Sequence, residues 1–357
     1  MTVTASTDRH LRTLASIDFG ESLSRAVRRG AQHAPVTPLV VSVILNTNRR
    51  ADTLECLASL TANTSARMHI IVLDNDSSDG SVDAIREAFP NVEIIALREN
   101  RGYAGNNNVG IAAAVERGAD WVFVLNEDTV IGPDCVQTLV AVGEGDPSIG
   151  IVGPLVYHHD EPDVIQSAGG GLSARWEGFH HGQNERDAAQ FRAPHDVDWI
   201  SGCGILVRRA VIERIGGIDE RFFIYWEETE WCVRAREAGW RIVHVPAASM
   251  WHKGVQRMYR PAPSVTYYAT RNRFLLLSIH DAPLRARVTA WMRVLRTLVS
   301  WSVRPKWRRS QRAHRYAMWR GAMDYLGQRW GKWQDGAAGA APAARHTPRW
   351  AATGGDR

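Results

Sequence analysis

The densest group of proton-transfer candidates in this 357-residue chain is Glu227-Glu228-Thr229-Glu230, set among Phe222, Phe223, Tyr225, Trp226 and Trp231. Aromatic neighbours predict partial burial, which raises a carboxyl pKa and suits a general base. The alternative is a solvated helix face, with Glu230 and Arg234 paired at i, i+4. A second acidic group, Asn126-Glu127-Asp128, ends the apolar run Trp121 to Leu125. Carboxylates at the carboxyl end of a buried parallel strand hold a hard divalent cation, which in turn holds a phosphate. A plain polar turn is the other reading of the same residues. His252 follows a later strand that could return it to the acidic site and complete a cation shell with Asp128; the other reading is a structural histidine, the commoner role of a lone one. The pair His180-His181 is a further metal candidate, set against a solvated loop because other ligand residues are lacking nearby.

These groups need elements to position them. Val36 to Leu45 reads as a first buried strand, followed by a helix over Thr53 to Leu60 with Leu54, Leu57 and Leu60 on one stripe. His69 to Leu73 is a second strand, and the acidic loop Asp74 to Ser81 leads into, and caps, a helix over Val82 to Ala88. Val92 to Leu97 is a third strand. The Gly/Asn-rich stretch Glu99 to Gly110 reads as a loop opening a helix over Ile111 to Glu116, before the Trp121 strand. This βαβ series implies a parallel sheet with right-handed crossovers. Its loops fall on one edge, so Asn46, Asp74 and Asp128 are expected to converge as a nucleotide pocket does. A dinucleotide-binding oxidoreductase is disfavoured, since no G-x-G-x-x-G follows the first strand, and there is no G-x-x-x-x-G-K-[ST]. Beyond Asp146 the rhythm breaks. Ile149 to Val156 is strand-like, Asp160 to Arg192 reads as a long, partly mobile loop over the site, and Val197 to Arg209 reads as a strand with small residues at its middle. A short helix over Ala210 to Ile215 and a strand over Arg241 to Val245 complete the pattern.

Apolar residues make up 45 % of the chain, enough for a core and incompatible with global disorder. Cys56, Cys135, Cys203 and Cys232 are widely spaced, which fits reduced thiols and neither a disulfide framework nor a zinc site. The N-terminal residues carry no apolar h-region and no window is apolar enough to span a bilayer, so a cytoplasmic protein without a secretory leader is expected. The net charge of +5 is concentrated late: from Arg285 to Trp333 there are 13 Lys and Arg against one acid, Asp324, and six tryptophans. Val288 to Val303 reads as a basic amphipathic helix with Trp291, Val294, Leu295, Leu298 and Trp301 apolar. Two readings stand, a membrane-surface helix or a helix packed on the main domain; nucleic-acid binding is disfavoured for want of an accompanying module. The expected organisation is a lead-in over 1–35, a main domain over 36–265, a basic Trp-rich helical region over 266–333 and a disordered tail over 334–357.

The motifs Asp74-Asn-x-Ser-x-Asp-Gly-Ser81, Asn100-x-Gly102 with Asn108-x-Gly110, and Leu-Asn126-Glu127-Asp128-Thr, in that order, resemble the family 2 nucleotide-sugar glycosyltransferases. Gly202-x-Gly, Gly216-Gly-Ile-Asp219, Glu227-Glu-x-Glu230-x-x-x-Arg234, His252 and Tyr267-Tyr-x-x-Arg271-Asn272 agree, and point to the rhamnosyltransferase and galactofuranosyltransferase-like subgroup. The resemblance covers roughly residues 38 to 275. It implies an α/β, GT-A fold, Rossmann-like with a mostly parallel central sheet flanked by helices, here with a C-terminal helical appendage. It implies inverting sugar transfer from a nucleoside diphosphate sugar, of the dTDP-rhamnose or UDP-galactofuranose type, to a glycan or lipid-linked acceptor of the bacterial envelope. Carried over by position, Asp74 contacts the nucleotide, with Asn46, Asn100, Gly102, Asn108, Asn126 and Glu127 shaping its pocket. Asp128 and His252 hold Mg²⁺ or Mn²⁺, and Glu228 is the catalytic base. Trp199, Gly202, Glu227, Glu230, Arg234 and Arg271 fall on the acceptor side or in support. Two positions depart from the pattern, Asn126 for the first Asp of a D-x-D motif, and Glu228 and Glu230 for Asp. A lipid-linked acceptor fits a protein resting on the cytoplasmic face of the inner membrane. The same departures are the support for the alternative, a catalytically decayed sugar-nucleotide-binding protein or a membrane-associated assembly protein on this scaffold.

Overall fold

The computed structural model describes residues 37–63, 67–254 and 260–334. The lead-in over 1–35 and the tail beyond Gln334 lie outside the described residues. Described residues from Leu39 onward belong to one compact unit. In chain order the elements are β1 (Leu39–Asn46), α1 (Arg50–Thr61), β2 (Arg67–Asp74), α2 (Ser81–Ala88), β3 (Glu93–Ala96), α3 (Gly102–Glu116), β4 (Trp121–Asn126), β5 (Thr129–Ile131) and α4 (Cys135–Gly145). There follow β6 (Ile149–His158), β7 (Ile165–Ser167), β8 (Gly170–Leu172), β9 (Gly178–His180), β10 (His195–Asp196), β11 (Gly204–Arg208), α5 (Arg209–Ile215), α6 (Glu227–Glu237) and β12 (Arg241–His252). Four helices close the described chain: α7 (Pro263–Ile279), α8 (Leu284–Val303), α9 (Pro305–Ser310) and α10 (Arg312–Leu326).

The main sheet runs β10-β12-β6-β11-β4-β1-β2-β3. β4, β1, β2 and β3 are mutually parallel, as the βαβ pattern predicts, and so are β6 and β12. β11 is inserted antiparallel between β4 and β6, making the sheet mixed. Alternate residues of each central strand serve opposite faces. Val41, Val43, Val122 and Val124 pack toward α3, α5 and α6, whereas Val40, Ile44, Trp121, Phe123 and Leu125 pack toward α1, α2 and α4. Burial on both faces explains why β4 reads as an unbroken apolar run.

Four sequence expectations are corrected. The Gly/Asn stretch is no loop: α3 begins at Gly102 and takes in Gly105 and Gly110. A Cβ at Gly110 would lie 2.3 Å from a Val43 methyl, so glycine lets the helix settle directly on β1. No side chain caps α2; its N-cap is Gly80 at φ 76°. The strand expected from Val197 starts at Gly204, because Trp199 is held back by a bridge to Gly170. Between 160 and 192 the chain builds β7 on the sheet edge and the β8–β9 hairpin where one long loop was expected.

Candidate active site

Asn46 and Asp74 end neighbouring parallel strands in register. Asn46 Nδ2 donates to Asp74 Oδ1 at 2.9 Å and to Ser81 Oγ at 2.9 Å, while its Oδ1 accepts from Thr53 Oγ1 at 2.9 Å. Asn46 is wholly buried, so its amide is spent on joining β1, β2 and α2, and Asp74 is the group it orients. Asn100 Oδ1 accepts from the Gly102 N–H, and the Asn108 side chain both donates to Ile218 O and accepts from Ile218 N, at 2.8 Å each. These two side chains pin the start of α3 and the loop before α6.

At the end of β4, Asp128 lies 3.2 Å from His252 through Oδ1 and Nε2, and 3.2 Å from Arg49 through Oδ2 and Nη2. Sheet register makes this pairing: β12 runs antiparallel to β5, with His252 opposite Thr129. Arg49 also approaches Glu127, 3.7 Å from its Oε1. Burial, then the Asp128 charge, pushes the Glu127 carboxyl up to about 7. Burial works to raise Asp128 too, but His252 and Arg49 outweigh it and hold that carboxyl below its ordinary value, so it is ionised at neutral pH. Asn126 Nδ2 stands 3.4 Å from His252 Nε2.

These residues suit a divalent cation. His252 Nδ1 faces Gln166 Oε1 at 3.1 Å, and with Nδ1 donating there, Nε2 is the ring nitrogen left to face Asp128 Oδ1. That oxygen is buried and has no hydrogen-bond partner. An imidazole Nε2 and a buried carboxylate oxygen aimed at one point are a donor set that a divalent cation would accept in place of their ion pair. A Cβ at Gly254 would fall 2.5 Å from Asp128 Oδ2 and 3.1 Å from His252 Nε2, so glycine leaves room over the pair. No group of three or more His, Cys, Asp and Glu assembles among the described residues, so a cation here would be held on the protein side by Asp128 and His252. His180 instead pairs its Nδ1 with Ser167 Oγ at 2.8 Å and packs edge-on against Trp199.

The carbonyl of Cys203 accepts the Asn126 N–H at 3.2 Å, linking the cation end to the acidic helix. Next to it, Gly202 lies against Glu228: a Cβ there would stand 3.5 Å from Glu228 Cβ. Tyr103 Oη donates to Gly202 O at 2.6 Å. Glu227 and Glu228 occupy the first turn of α6. Glu228 is half-buried, and burial pushes its carboxyl up to about 6. Glu227 is buried, its Oε2 has no hydrogen-bond partner, and burial followed by the Glu228 charge drives its carboxyl well above the ordinary value. The expected burial is therefore present, and it acts on this pair.

Glu230 faces elsewhere. Both its oxygens bind Arg234 at 2.9 Å, and Arg234 Nη2 donates to Gly217 O at 2.8 Å. The pair ties α6 to the loop after α5, so Glu230 is not available as a base. Trp199 is buried, its Nε1 donating to Gly171 O at 3.2 Å. Arg271 is wholly buried; its Nη2 donates to Arg221 O and Phe222 O, and its Nη1 to Gly331 O. Arg49, Tyr103 and Gln166 were missed by sequence reasoning. Arg49 had a signal, a cation directly after the first strand. Gln166 had none, since only the β6–β7 pairing brings it to His252.

Residues 42–216 match the model of the glycosyl transferase family 2. The chain is 30% identical over 255 residues to an N-acetylglucosaminyl-diphospho-decaprenol L-rhamnosyltransferase of Mycobacterium tuberculosis, covering 64% of this chain and 82% of that one. It is 24% identical over 253 residues to a dTDP-rhamnosyl transferase of Shigella flexneri, covering 69% and 82% respectively. Among solved structures, a mannosyltransferase of Pyrobaculum calidifontis, in complex with GDP-Man and Mn²⁺, superposes with a TM-score of 0.51 at 16% identity, covering 86% of this chain and 94% of that one; the shared fold is GT-A. With this sheet, this acidic edge and these relatives, the chain belongs to the family 2 glycosyltransferases and is a glycosyltransferase.

Proposed function

We propose that the protein transfers a sugar with inversion, from a nucleoside diphosphate donor to an envelope glycan or lipid-linked acceptor. The observation that carries this is the Asp128–His252 pair beside the end of β4 and half-buried Glu228 on α6, joined through Cys203 and Gly202. Asp128 and His252 would hold Mg²⁺ or Mn²⁺, whose role when bound is to offset charge on the leaving diphosphate. Asp74 and the loop it anchors would receive the nucleotide. Glu228, with its raised pKa, takes the proton from the acceptor hydroxyl as that oxygen attacks the anomeric carbon. A single base with no enzyme nucleophile gives inversion. Buried Glu227, held protonated, keeps a second negative charge away from the base.

The donor read first is dTDP-rhamnose, supported by the names of the two relatives; UDP-galactofuranose is the second, supported by the subgroup resemblance. The lipid-linked acceptor is supported by the Mycobacterium tuberculosis relative's name. Residues 36–265 are assigned as the catalytic domain and 266–333 as its appendage. No helix among the described residues is long and apolar enough to cross a membrane. A seat on the cytoplasmic membrane surface is supported by the first half of α8, where Leu284, Val288 and Met292 form an exposed apolar stripe. The sequence had pointed to Trp291 and Val294 for that face; both instead pack inward.

Thermal shift against dTDP, UDP, GDP and ADP, each with and without Mn²⁺, tests the reading. A nucleotide at a hundred times its Kd adds about 2.7 kcal/mol. A Mn²⁺-dependent shift with dTDP is expected, UDP alone would select galactofuranose, and no shift with any nucleotide would overturn the donor site.

A further inference from the structure

Between the β8–β9 hairpin and helices α7 and α8 runs a trough whose groups the transfer chemistry leaves unused. Its inner part, about 410 Å³, is lined by Trp226, Phe274, Val294 and Trp301 among others. Trp226 directly precedes Glu227, so this end reaches the helix of the proposed base. The outer part, about 940 Å³, continues along α8 past Leu295, Val299 and Val303. Glu177, Arg293, Thr297 and Trp301 line both parts, making the trough continuous. The outer apolar residues are more than half exposed, and no other described residue covers them. From Leu295 to Val303, about 12 Å along the helix, they form an open apolar track.

The charge in the trough is one-sided. Arg273 and Arg293 both bond the same oxygen, Glu177 Oε1, at 3.3 and 2.7 Å. Arg175 and Arg296 add further cations, and Glu177 is the only acid lining it among the described residues. Arg273 Nε is buried and has no hydrogen-bond partner. A buried guanidinium N–H left unmade is costly, and an anion entering the trough would remove that cost. A bilayer resting on α8 touches only the outer stripe and leaves Arg273 unanswered. A polysaccharide answers neither the apolar track nor the cations. A long apolar chain ending in phosphate answers both.

Resting on the transfer reading above, we propose that this trough binds the lipid part of the acceptor, a long isoprenoid-type chain bearing a phosphate or diphosphate. The anionic group sits at Arg273 and Arg293, and the chain runs outward over Leu295, Val299 and Val303. The sugar carried on the diphosphate then projects past Trp226 toward Glu228.

Binding of geranylgeranyl diphosphate to the full chain, followed by tryptophan fluorescence, tests this, with geranylgeraniol, inorganic pyrophosphate and phosphatidylglycerol vesicles as parallel probes. The diphosphate is expected to bind at least tenfold tighter than the alcohol or pyrophosphate. Arg293→Gln, on an exposed side chain, should weaken it about tenfold, and Thr297→Trp should block it by filling the trough without a change of charge. Equal binding by the wild type and both variants would overturn the proposal. So would displacement of the probe by dTDP or UDP, which would put it in the donor site, and so would vesicle binding with the same dependence on Arg293 and Thr297, which would make the trough a bilayer contact. A Mn²⁺-dependent nucleotide shift without prenyl diphosphate binding overturns the trough alone; loss of both overturns the transfer reading with it.

Discussion

His252 Nε2 stands 3.2 Å from Asp128 Oδ1, two groups separated by 124 positions in the chain and brought together by the β5–β12 pairing. Behind them Gln166 holds the far side of the imidazole. Gln166→Ala is therefore expected to weaken Mn²⁺ binding by 10- to 100-fold, the usual effect of losing such a partner. Isothermal titration of Mn²⁺ in the presence of saturating nucleotide reads this directly. An unchanged Mn²⁺ affinity would remove Gln166, and the tautomer it imposes, from the site.

Glu228→Gln should lower kcat by roughly 10²- to 10⁴-fold while leaving nucleotide binding unchanged. In the wild type, kcat should rise with pH through about 6 and then level off, because the base works ionised and burial pushes its carboxyl up to that value. A pH–rate profile with no acid limb near that value would remove Glu228 as the base.

The same shift has a consequence for stability. A carboxyl raised on folding stabilises the fold below the ordinary glutamate range and loses that contribution as pH rises through the folded value. Glu228→Gln is expected to be more stable than the wild type at pH 8, by on the order of 1 kcal/mol, with the difference vanishing near pH 4. Urea melts at the two pH values measure it. A variant less stable at pH 8 would contradict the burial argument.

Phe223, Tyr225 and Trp226 hold positive φ values of 66°, 69° and 74° immediately before α6. Asn272 Nδ2 holds this run by donating to the carbonyls of Phe222, Ile224 and Tyr225 at 2.8 Å each. Asn272→Ala leaves those buried acceptors short of a donor and should cost about 2–4 kcal/mol, lowering Tm by several degrees. Because the run presents Glu228, kcat should fall in the same variant while the nucleotide shift persists. A full-activity variant would show that the strained run does not position the base.

Gly110→Ala places a methyl 2.3 Å from Val43 and should destabilise by about 1–3 kcal/mol. Gly145→Ala, at the end of α4 with open space around it, should be neutral or slightly stabilising. Equal melting temperatures for the two variants would refute the close seating of α3 on β1.

The early parallel sheet was legible because each strand's apolar run and each loop's polar residues are local signals, and burial on both faces of β4 makes the strongest of them. Asn46 and Asp74 could be placed together because a βαβ crossover returns every strand end to one edge. The start of α3 was not legible, since Gly102 to Gly110 has poor helix propensity and only its seat against Val43 accounts for helix there. The C-terminal helix showed its charge and its tryptophans, but not which face packs. Phe274, stacked on Trp291 at 4.1 Å, decides that.

The chain by itself determined the strand–helix rhythm, the acidic end of β4 and the residue types of the candidate metal and base positions, because these are written in neighbouring residues. Tertiary structure alone decided which of them cooperate. It paired His252 with Asp128 across the sheet, diverted Glu230 to Arg234, turned Arg271 into a buried latch and brought Gln166 and Arg49 to the cation end. The physical reason is that hydrogen-bond reach is about 3 Å, and which side chains fall within it depends on strand register and helix seating, neither of which a local pattern specifies.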